Sequence, residues 1–246
     1  MSASGISRKH ILCIVAMLAG GLAADAGSGF AGQVAVSAGF WGLLFYLLGH
    51  VERDERCALM VCLVIATAGE MVLSLGWGLY IYRLENIPLF VPPGHALMLL
   101  LGIALSRHLR EATALAIIGG AAAYVLVTAA TGFDTLGIPL FLLLAAASLA
   151  MPAQRRLYAS TFALSLMLEL YGTWLGNWSW PRDVTGTPLV TTNPPGASGA
   201  FYSALDALVA AASLLIARRM SARTARLNDG MPQLASAIGV SVRFLK

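Results

Sequence analysis

The chain has 246 residues, of which 58% are hydrophobic and 11% charged, and its mean hydropathy is +0.77. A soluble domain carries about 25% charged residues, so most of this protein's surroundings are not water. Eight spans of about 20 residues would use roughly 160 residues and leave roughly 86 for loops and tails, which excludes a separate soluble domain. The net charge of +4 is what membrane topology alone produces, so it implies no nucleic-acid partner.

Apolar stretches run over residues 11–24, 34–48, 57–79, 88–105, 112–131, 136–151, 157–177 and 200–217. The expected fold is therefore all-α, a polytopic membrane helix bundle of about eight transmembrane helices. It forms one transmembrane domain over 1–217, followed by a basic cytoplasmic tail over 218–246. The first stretch follows Arg8, Lys9 and His10 and precedes Ala24-Asp25-Ala26, which also resembles a signal peptide with its cleavage site. The charges downstream favour its retention as a span. The Gly-rich segment 25–33 then bends the first two stretches into a hairpin.

With the N-terminus in the cytoplasm, Arg8, Lys9, Arg53, Arg56, Arg107, Arg110, Arg155, Arg156, Arg218, Arg219, Arg223, Arg226, Arg243 and Lys246 fall on the inner side. Arg83 and Arg182 alone fall outside. This positive-inside distribution puts both termini in the cytoplasm. The tail's charge suits anionic inner-leaflet lipids. Cys13, Cys57 and Cys62 lie within spans or near the cytoplasmic face, so no disulfide framework is implied.

Two segments about a hundred residues apart repeat an order of unusual residues. The first has Glu70, then Trp77, Tyr80 and Tyr82, then Pro88-Leu89 and Pro92-Pro93-Gly94. The second has Glu169, then Trp174, Trp178 and Trp180, then Pro188-Leu189 and Pro194-Pro195-Gly196. This pattern points to a duplication with repeats over 9–111 and 112–217. As both glutamates sit on inside-to-outside spans, the halves form a four-plus-four parallel repeat about an axis along the membrane normal. At about 1.5 Å per residue, each glutamate lies near the bilayer midplane.

A carboxyl at that depth is costly and normally turns inward to pair or line a cavity. The aromatics also fit an ordinary interfacial belt, but that belt does not account for the glutamates or the Pro-Pro-Gly turns. Those turns are expected to make broken or re-entrant segments covered by protein. His95 follows the first Pro-Pro-Gly, Asn193 precedes the second, Asn177 lies beside the tryptophans, and Asp206 sits about two turns into the last span. Together Glu70, Glu169, His95 and Asp206 are the candidate catalytic residues of an outward-opening pocket. Trp77, Tyr80, Tyr82, Trp174, Asn177, Trp178, Trp180 and Asn193 are its candidate substrate-binding residues. Arg83 with Glu85, and Arg182 with Asp183, read as loop ion pairs.

The runs Glu70–Pro92 and Glu169–Asn193 resemble the integral-membrane carotenoid-biosynthesis proteins of the bacterioruberin hydratase type. The resemblance covers about a quarter of the chain. It departs from the family pattern by placing Pro-Pro-Gly in both halves and small residues at Ala197-Ser198-Gly199-Ala200. It implies addition of water across the terminal double bond of a long polyene. The chain is also similar to bacterial membrane proteins with the same tryptophan-rich outer loop, which implies the bacterial cytoplasmic (inner) membrane.

Two functions suit these residues. One is an enzyme that acts on an isoprenoid or other lipid, with a buried, neutral glutamic acid protonating a C=C bond while a second carboxylate or His95 handles water. In that scheme Glu70 and Glu169 are the acid–base pair, Asp206 orients, and aromatic faces stabilise the carbocation. The other is a proton- or cation-coupled carrier that uses the same carboxyls at the repeat interface. A structural protein locked by buried glutamates is a third reading, opposed by the desolvation cost. There is no Gly-rich phosphate loop, no His-Glu-x-x-His pair and no Asp-rich diphosphate motif, so neither cofactor nor metal is expected.

Overall fold

The computed structural model describes residues 6–237, with side chains through residue 221. It is all-α apart from one two-stranded ribbon. The helices are α1 (Arg8–Ala26), α2 (Phe30–Leu48), α3 (Arg53–Glu70), α4 (Val91–Ser106), α5 (Glu111–Ala130), α6 (Gly137–Ala150), α7 (Arg155–Leu175) and α8 (Ala200–Ala237). Strands β1 (Ile81–Tyr82) and β2 (Trp178–Ser179) pair antiparallel. Among the described residues five helices are long and apolar enough to cross a membrane, or six if the bent α6–α7 pair is one span: α1, α2, α3 with its extension to Gly76, α5, and α8 as far as Ser221. The chain bends by 111° at the short turn between α6 and α7, and α4 is a shorter apolar helix.

Local chemistry sets the helix ends. Ser7 and His10 form a capping box on α1, which satisfies two otherwise unpaired N–H groups. Asp54 and Glu55 occupy the first turn of α3, where carboxylates suit the helix dipole. Gly176, at φ 78°, terminates α7 in the left-handed conformation that glycine adopts without a Cβ clash. Beyond Glu70, α3 continues as a π-helical turn over Met71–Gly76.

The connections gather at two ends. At one, the tight α1–α2 turn meets the loop after α3, because Arg83 pairs with Asp25 (Nη2 to Oδ1, 3.6 Å). The loop after α5 meets the loop after α7 there too, through Thr135 and Leu136 N–H groups donating to the Val190 carbonyl. We refer to this as the cap end. At the opposite, arginine-rich end, Arg107 pairs with Glu55 (3.2 Å) and Arg155 with Glu111 (2.6 Å). Within the bundle α3 packs on α4 and α8, and α7 packs on α4 and α8, closing a ring of four helices. α1 leans on α4 and α7, while α5 leans on α7. Large side chains such as Leu12, Val64, Leu126 and Leu149 point outward and are exposed, as expected where the solvent is lipid.

Several sequence expectations change here. The first Pro-Pro-Gly does not break a segment. It lies in the first turn of α4, where proline's missing N–H is no loss and its fixed φ suits the helix. The second forms a tight turn ahead of α8, and Gly196 N–H donates to Asp134 Oδ2 (3.0 Å) beneath the Tyr124 ring. Arg83 pairs with Asp25 rather than Glu85. Arg182 binds the Phe133 and Thr191 carbonyls rather than Asp183. Helix α8 runs on through 217–218 into the first part of the basic tail; tail residues 238–246 lie outside the described residues.

Candidate functional site

Glu70 ends the regular part of α3, where burial (6% exposed) forces its carboxyl to find partners. Tyr82 from β1 donates its hydroxyl to Oε2 (2.8 Å), and His95 Nε2 lies 3.5 Å from Oε1. Burial, reinforced by the neighbouring Glu70 carboxyl, pushes the Tyr82 phenol well above its usual range, so it remains a donor. His95 stands one turn into α4, and its Nδ1 lies 2.9 Å from the Val91 carbonyl. A carbonyl accepts only, so Nδ1 holds a hydrogen and Nε2 is the nitrogen free to exchange a proton with Glu70. The Tyr202 ring stacks on the imidazole at 4.7 Å with 5° between planes.

Glu169 has the corresponding place on α7. Its Oε2 accepts the indole N–H groups of Trp178 (2.8 Å) and Trp180 (3.1 Å), and the other oxygen makes no hydrogen bond among the described residues. Trp178 reaches back along α7 because Gly172 leaves room; a Cβ there would collide with the indole ring. Trp180 is fixed by its backbone N–H, which donates to Asn193 Oδ1 (2.9 Å). Each glutamate is thus held by aromatics in or just after the strand of its own half, and the pairing of Tyr82 with Trp178 joins the two sets.

Glu70, Glu169, His95, Tyr80, Tyr82, Trp178 and Trp180 line one mainly apolar cavity of about 490 Å³. Tyr202, Phe201 and Phe90 complete its aromatic wall. The structure brings these seven candidates together and leaves five apart. Asp206 is buried (3% exposed) outside the cavity lining, with Oδ2 unpartnered among the described residues. Trp174 is 78% exposed on the outer face of α7. Trp77 also sits at the surface and donates to the Thr185 carbonyl (2.8 Å), tying the two cap loops together. Asn177 is buried away from the cavity, bonded to Asp25 Oδ2 (2.8 Å) and the Leu22 carbonyl (3.1 Å). Asn193 supports Trp180 without lining the cavity.

The arrangement offers two carboxyls, one imidazole and a cation-stabilising aromatic lining in a site of low polarity. No group of three or more His, Cys, Asp or Glu side chains is placed to hold a metal among the described residues. Sequence reasoning passed over Tyr202, whose tyrosine four residues before Asp206 was the available signal. It also passed over the buried Asp25 and Asp134, which brace the cap. Compared with known proteins, the chain matches no protein-family model, no curated protein and no solved structure.

Proposed function

We propose that this protein is an integral membrane enzyme that hydrates or isomerises a C=C bond of an isoprenoid or carotenoid-like lipid by carboxylate acid–base chemistry. The observation that supports this most directly is the pair of glutamates on the wall of one aromatic cavity, each held at an oxygen by aromatic hydrogen-bond donors, Tyr82 for Glu70 and Trp178 with Trp180 for Glu169. Glu169 is the acid: it gives a proton to one alkene carbon, and the two indole N–H groups stabilise the carboxylate that remains. The positive charge on the other alkene carbon lies against the faces of Tyr80, Tyr82, Trp178 and Trp180. Water adds to that carbon and loses its proton to the Glu70–His95 pair, which completes hydration. Loss of a proton from the neighbouring carbon to the Glu70–His95 pair instead gives isomerisation, and in either case return of that proton to Glu169 across the shared cavity restores the site.

The same reading takes the chain as eight spans in a bacterial inner membrane, with both termini in the cytoplasm and the cap end outside. Placement of Arg53, Arg56, Arg107, Arg110, Arg155 and Arg156 at one end supports the orientation. The reciprocal packing of α3 on α8 and of α4 on α7 supports the parallel repeat. Anionic inner-leaflet lipids suit the basic segment after Ala217.

The test is lipid mass spectrometry of an expression host with and without the gene, and with Glu70→Gln or Glu169→Gln. A hydrated or isomerised lipid is expected with the wild type, and each variant should accumulate in the membrane without making it. Full turnover by both variants would sink the reading. The buried, half-unpartnered Asp206 favours a second reading, a proton-coupled carrier. Gradient-driven uptake into vesicles without chemical change of the solute would establish that instead.

A further inference from the structure

The cavity is smaller than the molecules such a site would handle. Pockets of about 300–1,000 Å³ enclose drug-sized molecules, so a cavity of about 490 Å³ takes part of a long isoprenoid rather than all of it. The rest of the chain lies outside, and the structure marks where. Val72 and Leu208 line the cavity, yet 63% and 56% of their surfaces are exposed. Ala68, one turn before Val72 on α3, also lines the cavity and is exposed. All three belong to the apolar, membrane-length segments of α3 and α8 rather than to the cap loops. At the cap, by contrast, Tyr80, Tyr82, Trp178 and Trp180 are all buried and close the cavity over.

We infer that the flank of α3 and α8 is a lateral slot for a hydrocarbon tail. The ligand is a long-chain isoprenoid drawn from the bilayer, with its apolar end against Glu70, Glu169 and His95. The remaining chain leaves past Ala68, Val72 and Leu208 and lies among the lipid acyl chains. Entry from the side needs no polar group to cross the apolar wall, and it makes the site a reader of chain ends. The slot rests on the isoprenoid reading above, which concerns the chemistry; the slot concerns where the rest of the molecule goes.

Equilibrium binding of two radiolabelled probes to purified full-length protein tests it: geraniol, which fits the cavity, and squalene, which does not. Wild type is expected to bind both. Val72→Trp and Ala68→Trp add bulk at the slot and should weaken squalene binding at least about tenfold more than geraniol binding by steric clash. Retained geraniol binding shows that each variant is folded. If the wild type binds both probes and the variants lose neither, or lose both alike, the slot is overturned while the isoprenoid reading stands. If the wild type binds neither probe, the isoprenoid reading falls and takes the slot with it.

Discussion

His95 Nε2 faces Glu70 Oε1 across 3.5 Å, while the other ring nitrogen is committed to the Val91 carbonyl. With Nδ1 fixed as a donor, the lone pair on Nε2 is the acceptor for a proton from water, and the facing Glu70 carboxyl stabilises the imidazolium so formed. His95→Gln removes that acceptor and keeps a polar side chain. Conversion of the lipid should fall by at least about a hundredfold, the lower end of the range for a positioned base, with the protein still accumulating in the membrane. Mass spectrometry with immunoblotting checks this, and unchanged turnover would remove His95 from the chemistry.

Trp178 reaches Glu169 over a glycine. Gly172→Ala places a methyl where the indole lies, so the ring must move and the 2.8 Å bond to the carboxyl is lost. Overpacking of this kind costs about 1–3 kcal/mol. A lower unfolding midpoint in detergent and a shifted tryptophan emission are expected together, along with reduced conversion. Wild-type emission and stability would show that the close approach is not required.

Asp25 is 1% exposed, and Arg83 is its one cationic partner among the described residues. Arg83→Ala strands that carboxyl with Asn177 as its remaining side-chain donor. Removing one member of a buried pair costs about 3 kcal/mol, so the midpoint should drop by several degrees. Arg83→Ala combined with Asp25→Asn should recover part of the loss, because the uncompensated charge is gone. A double variant no more stable than Arg83→Ala alone would argue against the pairing.

Reporter fusions check the orientation. A phosphatase that is active only outside the cytoplasm should be active when fused after Glu85 or Asp183 and inactive after Arg110 or Arg156. The reverse pattern would place the cavity's cap in the cytoplasm.

How much of this the sequence disclosed depended on range. Glu70 and Glu169 stood out because a carboxyl in an apolar stretch has few bland explanations, and the aromatics following them stood out by repetition. Asp206 lies about one helical turn from the cavity wall: Tyr202, four residues earlier and about 6 Å along the axis, is the residue that lines it. Trp174 was misplaced by rotation, since five residues carry it about 140° around α7 from Glu169. The bonds of Asp25 to Arg83 and Asn177 span 58 and 152 residues, and no local pattern signals contacts of that separation. The Pro-Pro-Gly turns had two structural uses that composition does not distinguish, a helix start and a loop.

Helix α4 has 16 residues, a rise of about 24 Å at 1.5 Å per residue, against a hydrocarbon core of about 30 Å. Ten of those residues, from Val91 to Ile103, are buried, and α1, α2, α3 and α7 pack around the helix, so protein rather than lipid lies beside it and its shortness imposes no mismatch on the bilayer. His95 on its first turn is then enclosed by the bundle, among the same aromatics that hold Glu70 and Glu169, and the imidazole is approached through the cavity rather than from the membrane surface.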